Sequence, residues 1–307
     1  MIEVAVAAGR FLHYSAALLF FGLALFPVYT YSATGTRPLD STSQWLRQSA
    51  KWLAWTALIS ALLIFAFVTA NMTGTFSSLV DPSSLWSVLA DTSFGRMSLF
   101  RFAIIIIIVI IATATVKTPN WTLIWLSALF LATLACVGHT QVEEGFSSAA
   151  HVVADGIHLL AAGAWLGGLI PLGLIVSRAV LVTSTSATKE AEDAAIHFSG
   201  VGYAAVAALV GSGIINSWFL VGSIDHLFNT NYGRLLFAKI IVFSGMLLLA
   251  ATNRFWIVPG VSAAASANEG RQMLHRLRWH VLAEQMLGVI VVLIVSVLGT
   301  MQPGTGQ

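Results

Sequence analysis

A chain of 307 residues with 57% apolar and only 9% charged residues does not describe a soluble domain, where about a quarter of residues are charged. A formal net charge of +2 is too small and too dispersed for a nucleic-acid partner. The single cysteine, Cys136, excludes an intrachain disulfide and any cysteine-rich zinc or iron–sulfur centre. An all-α, multi-pass membrane protein is expected, with the lipid bilayer as its main surroundings.

Hydropathy places eight transmembrane helices at roughly 10–31, 52–71, 97–115, 121–138, 149–176, 197–220, 234–254 and 280–300. The first has Arg10 ahead of an apolar run and small residues near Ser32 and Ala33, like a secretory signal; its run is too long for one, so it is kept as a helix. Ten of the 15 basic residues, Arg37, Arg47, Lys51, Lys117, Arg178, Lys189, Arg254, Arg271, Arg276 and Arg278, fall in loops on one side. The other five, Arg10, Arg96, Arg101, Arg234 and Lys239, lie mostly at or inside helix ends. The positive-inside rule therefore puts both termini outside and the long 7–8 loop in the cytoplasm.

In the first span His13 precedes Gly22 by nine residues, with small residues three and four after the histidine. His158 and Gly167 repeat that spacing in the fifth span. Between spans two and three, Asp81-Pro82-Ser-Ser predicts a short amphipathic helix on the outer surface. The third span opens with Thr92-Ser-Phe-Gly-Arg96 and has Arg101 five residues on; the seventh opens with Thr230-Asn-Tyr-Gly-Arg234 and has Lys239 five on. The glycine before each arginine reads as permitting a tight turn. Asn71 and Asn216 occupy corresponding outer ends of spans two and six. These matches in one order predict two tandem four-helix repeats, 1–145 and 146–307, related by a pseudo-two-fold axis along the membrane normal. His13 and His158 are then symmetry mates. Arg101 and Lys239, more than a turn inside their helices, need an anion, a carbonyl or water, found either by snorkelling outward or by lining the same cavity as Asp155.

Loop 4–5 carries His139, Glu143 and Glu144 on the outer side. Loop 5–6, with Lys189, Glu190, Glu192 and Asp193, reads as a solvated turn. The Ala/Ser-rich stretch 258–269 reads as flexible, with Arg271, Arg276 and Arg278 behind it as an inner-surface anchor. Glu284 is expected to pair with Arg254 or Arg278.

The organising stretch is 147–176, long enough to cross a bilayer yet carrying His151, Asp155 and His158. At i, i+4 and i+7 these side chains share one helix face. Ionisable groups inside a span are costly and usually mark function. Two readings fit: a metal or proton site, or a water-filled vestibule in which Asp155 only holds the histidines. Gly163, Gly167 and Gly168 offer a surface where another helix can approach closely. His13, His139, His151, His158 and His226 lie on the outer side with Asp155, Glu143, Glu144, Met72, Met97 and Met301, while His197, His275 and His280 lie at the inner edge. Imidazole and thioether suit copper, soft methionine favouring Cu(I). The candidate ligands are His13, His151, Asp155, His158, His139, Glu143, Met72 and His226, with copper held between His13 and the His151/His158 pair and Asp155 fixing a ring tautomer.

The runs His158-Leu-Leu-Ala-Ala-Gly-Ala-Trp-Leu-Gly-Gly-Leu, His197-Phe-Ser, Tyr232-Gly-Arg-Leu-Leu-Phe-Ala-Lys239 and Asn253-Arg254-Phe resemble the bacterial copper resistance protein D (CopD/PcoD) family of inner-membrane proteins. The first four spans resemble it more loosely, through His13 and Phe94-Gly95-Arg96. The resemblance implies copper homeostasis, the passage of copper from periplasm to cytoplasm, and a separate periplasmic copper-binding protein as donor; in an inner membrane, the termini that the positive-inside rule puts outside are periplasmic. Two other classes stay open. One is a haem-binding cytochrome of the b561 type, which needs histidine pairs in both leaflets. The other is a proton-coupled transporter of a small solute using Arg101 and Lys239. No ATP-binding motif occurs, so any transport would run on a gradient or by facilitation, and the chain is not expected to be an enzyme.

Overall fold

A bilayer interior offers backbone groups no partners, so a chain this apolar folds into segments that satisfy their own hydrogen bonds. The computed structural model describes residues 1–33, 35–114, 119–136, 146–182, 184–264 and 266–303, and no strand occurs among them. Helix α1 (Ile2–Pro27) continues into a π-helical turn at Val28–Ser32. It is followed by α2 (Asp40–Thr73), α3 (Pro82–Asp91), α4 (Ser93–Ala114) and α5 (Trp121–Thr133). Then come α6 (Phe146–Ala162), a π-helical stretch Gly163–Gly167, α7 (Gly168–Val182), α8 (Thr185–Val221) and α9 (Ile224–Asn229). Helix α10 (Asn231–Thr252) passes through a π-helical stretch Asn253–Ile257 into α11 (Val258–Ser262), and α12 (Ala267–Leu298) closes the fold.

Seven of these segments are long and apolar enough to cross a membrane. The segment expected as the fourth span is a shorter apolar helix, Trp121–Cys136, formed by α5 and the 3-10 turn after it. The connections on the basic side differ from expectation. Lys189 and Asp193 form an exposed i, i+4 ion pair at 3.6 Å on α8, so the acidic and basic residues near 190 are helical rather than a turn. Most of 258–269 is likewise helical, because α11 continues α10 and α12 starts at Ala267.

Polar side chains at helix starts set the boundaries. Asp81 accepts from the Ser83 and Ser84 amides, with Pro82 in the first turn, and gives α3 the predicted start. Hydrogen bonds from Ser84 and Ser83 hold its carboxyl down to about 2. Asn120, Ser184 and Ser266 cap α5, α8 and α12 in the same way. Helices α2 and α8 both end on a glycine in the left-handed region, Gly74 (φ +77°) and Gly222 (φ +73°), a conformation few side chains tolerate.

Two spans hold the molecule together. In Ile2–Ser32 and Ala149–Val182, 56% and 67% of the most apolar window is buried, against 11–39% in the other candidate spans. Helix α1 packs on α2, α5 and α12, and the α6–α7 segment packs on α1, α8, α5 and α12. One core gathers side chains of α1, α2, α4 and α5, such as Phe20, Ile105 and Phe130, with Ala164 and Val292 from elsewhere. A second gathers α7, α8, α10, α11 and α12, such as Leu169, Met246 and Leu277, with Phe26 and Tyr31 from the first span. Trp52, Ile110, Trp125, Ile214, Leu248 and Met286 point outward, as a lipid-facing surface requires. The spans are joined at one end by Arg10, whose guanidinium donates to the Gly299 carbonyl at 2.8 Å. At the other end Glu190 of α8 accepts from the Tyr31 hydroxyl (2.9 Å), the Leu39 amide (3.1 Å) and the Thr42 hydroxyl (3.3 Å).

Candidate functional site

Helices α1 and α6–α7 meet at glycine. A methyl group on Gly22 would strike the Gly163 carbonyl and the Gly167 backbone, and one on Gly167 would strike Leu18 O and Gly22. The small-residue faces expected from the sequence are thus where the two central spans touch, backbone against backbone. Nine residues before Gly22 and nine before Gly167 stands a histidine, and the two are held alike. His13 Nδ1 lies 3.0 Å from Ser60 Oγ of α2, and His158 Nδ1 lies 3.0 Å from Ser212 Oγ of α8.

The tautomer follows from the serines. Ser60 Oγ donates to the Ala57 carbonyl and Ser212 Oγ to the Ala208 carbonyl. A hydroxyl has one hydrogen, so each serine oxygen can only accept from its histidine. With the hydroxyl hydrogen given to the carbonyl, the ring proton is on Nδ1 and the Nε2 lone pair is left for a soft cation. His13 further stands edge-on to Phe130, with centroids 5.5 Å apart. It lines a cavity of about 60 Å³ with Arg10, Tyr14, Ser98 and Arg101, room for a bare ion or water.

The stripe His151, Asp155 and His158 does occupy one face, and that face is turned to α8. Each residue meets a different turn of it. His151 stacks on Phe219 at 4.7 Å, Asp155 Oδ1 accepts from Asn216 Nδ2 at 3.2 Å, and His158 meets Ser212. Two expectations are corrected here. Asp155 does not orient a histidine ring; Ser212 does, leaving the carboxylate to Asn216. No three His, Cys, Asp or Glu side chains among the described residues lie close enough to share an ion, because partners on successive turns of α8 spread the stripe along the helix. His151 is 3% exposed and its Nδ1 has no hydrogen-bond partner.

The remaining candidates lie apart. His139, Glu143 and Glu144 fall outside the described residues. Met72 is 53% exposed at the end of α2. His226 sits on α9, where its Nδ1 faces the Val221 carbonyl at 3.0 Å and its backbone carbonyl accepts from the Thr230 hydroxyl. Arg101 is buried and donates through Nε to Thr133 Oγ1 and through a terminal nitrogen to Thr133 O, so a hydroxyl and a carbonyl, not an anion, satisfy it. Arg101 lies within electrostatic reach of His13, and Lys239 within reach of Asp155 and His158. Glu284, expected to pair with an arginine, accepts instead from Asn253 Nδ2 at 2.6 Å.

The paired Thr-x-aromatic-Gly-Arg motifs build identical corners. Thr92 Oγ1 donates to Val88 O and accepts from the Gly95 amide; Thr230 Oγ1 donates to His226 O and accepts from the Gly233 amide. A methyl on Gly95 would strike Val88 O and Leu89, and one on Gly233 would strike His226 O and Leu227. Both glycines are helical, so close approach of the preceding short helix requires them, not a positive φ.

Comparison with known proteins matches residues 1–150 to the family model described as copper resistance protein D-like, N-terminal domain, and residues 192–298 to that described as copper resistance protein D. The chain belongs to the copper resistance protein D family. It is 29% identical over 303 residues to inner membrane protein YebZ of Escherichia coli (strain K12), covering 99% of this chain and 100% of that one. It is 29% identical over 303 residues to copper resistance protein D of Pseudomonas syringae pv. tomato, covering 96% of each chain. Copper transport protein CutJ of Bacillus subtilis (strain 168) is 28% identical over 256 residues, 80% of this chain and 46% of that protein. No solved structure matches the chain. This member of the family is a multi-pass inner-membrane protein.

Proposed function

We propose that the protein carries copper across the inner membrane, taking it at the periplasmic face onto Nε2 of His13 and His158. The observation that carries this reading is the matched pair His13–Ser60 and His158–Ser212, in which each serine faces Nδ1 and leaves Nε2 for an ion. Imidazole held in one tautomer by a second partner is the usual arrangement of a metal ligand. The family supports copper as the cargo. The Arg101 guanidinium, within electrostatic reach of His13, weakens the hold on a cation, which suits a carrier that must release its ion better than a storage protein. We read the protein as a carrier, not an enzyme, supplied by a separate periplasmic copper-binding protein.

The proposal includes two tandem four-helix repeats, 1–145 and 146–307, with both termini periplasmic. Its support is the recurrence in each half of the His–Ser pair, the left-handed glycine ending the second span, the short helix after it and the Thr–Gly corner. The excess of basic residues at the opposite face supports the orientation. The decisive test is copper bound by purified protein and copper uptake into proteoliposomes. The double variant His13→Ala/His158→Ala is expected to lose copper and uptake while keeping its helical content, and no haem Soret band is expected in the wild type. Full copper stoichiometry in the double variant would overturn the ligand assignment.

A further inference from the structure

Glu284 has no part in the copper contacts described so far. It stands near the middle of the 32-residue α12 and is 2% exposed. A carboxyl so deep in a span is a costly group that calls for a function. Its hydrogen-bond donor is neutral, Asn253 Nδ2 at 2.6 Å, and the side chain of Trp165, itself 3% exposed, lies beside it.

Both neighbours lie in π-helical stretches, Trp165 in Gly163–Gly167 and Asn253 in Asn253–Ile257. Such bulges are rare and gather at functional sites. The next residue, Gln285, donates to the Leu169 carbonyl at 2.8 Å, just past the first of them. Among the charged and titratable groups on the packed elements, Arg254 and Arg10 have partners, the buried Tyr29 hydroxyl has none, and Lys239 of α10 lies within electrostatic reach of Asp155. Arg254 lies 5.7 Å from the centre of the Tyr203 ring, Arg10 is bound at Gly299, and the Tyr29 hydroxyl lies against Gly168. No basic side chain pairs with Glu284 among the described residues. One turn nearer the basic face on α12 is His280, whose buried Nδ1 has no partner, with Arg278 beyond it.

Resting on the carrier reading, we infer that Glu284 is the protein's proton-binding site, exchanging with the basic face through His280 and linked to His158 by the π-helical stretch that holds Trp165. A proton from that face protonates His280 and passes to Oε2, the oxygen Asn253 does not hold; no other bond is made or broken. The neutral acid binds the Trp165 indole less strongly than the carboxylate does. Trp165 lies seven residues beyond His158 on the same segment, so a change at one end is felt at the other.

The test uses the full chain. Infrared difference spectra of the purified protein with and without Cu(I) should show a change in a protonated-carboxyl band, absent from Glu284→Gln and displaced in Trp165→Phe. In proteoliposomes with a trapped pH indicator, Glu284→Gln should bind copper within twofold of the wild type while its copper-driven proton signal falls at least tenfold. A wild-type proton signal in Glu284→Gln overturns the inference. Copper binding by the wild type with no carboxyl change overturns it too, and leaves the carrier reading standing. If the wild type binds no copper, the carrier reading falls. A carboxyl band that still titrates in the wild type but not in Glu284→Gln then upholds the proton site, and one that does not titrate overturns it.

Discussion

Ser60 and Ser212 set the chemistry of the two histidines because each gives its only hydrogen to its own helix. Ser212→Ala should lower copper affinity about 10- to 100-fold, the usual effect of losing a ligand's supporting hydrogen bond, and Ser212→Thr should restore much of it. Competition with a Cu(I) chelator reads both. Arg101→Gln should act in the opposite sense, raising affinity about three- to tenfold by removing a cation within reach of His13. The histidines were legible in the sequence because ionisable groups in apolar spans stand out. Their serines were not, since a serine in a membrane helix commonly bonds its own carbonyl and gives no signal. The role of Asp155 was misread for a related reason: spacing along one helix says which face a carboxylate shares, and the neighbouring helix decides what it bonds.

Helix corners are the next scale. A methyl placed on Gly233 meets the backbone of α9, which cannot move as a flexible side chain can. Gly233→Ala is therefore expected to destabilise the protein by about 1–3 kcal/mol, the range for overpacking, seen as a lower thermal midpoint in detergent. The Gly-Arg motifs were visible as a repeated pattern, but their cause lay in the packing of α3 on α4 and α9 on α10, which periodicity does not report. The same limit explains the connections on the basic face. Lys189 looks solvated and is so, but Glu190 turns to Tyr31, Leu39 and Thr42, and α8 runs unbroken through both.

At the scale of the whole molecule, the expected framework of apolar spans emerges from composition and hydropathy alone, because a bilayer leaves the backbone few alternatives. What hydropathy could not supply is which spans lie at the centre; that follows from Gly22, Gly163 and Gly167 and the burial of the spans that carry them. Gly22→Leu should force those spans apart, and size-exclusion chromatography in detergent should show loss of the monodisperse species, whereas Gly211→Leu, where a side chain meets open space, should be tolerated.

The contact of Gly22 with Gly167 also bears on the route a cargo can take. With main chain pressed on main chain, no gap wide enough for an ion separates these two spans at that level. Bare glycine at that spot also leaves the two central rods without interlocking side chains there, a smooth bearing rather than a keyed joint.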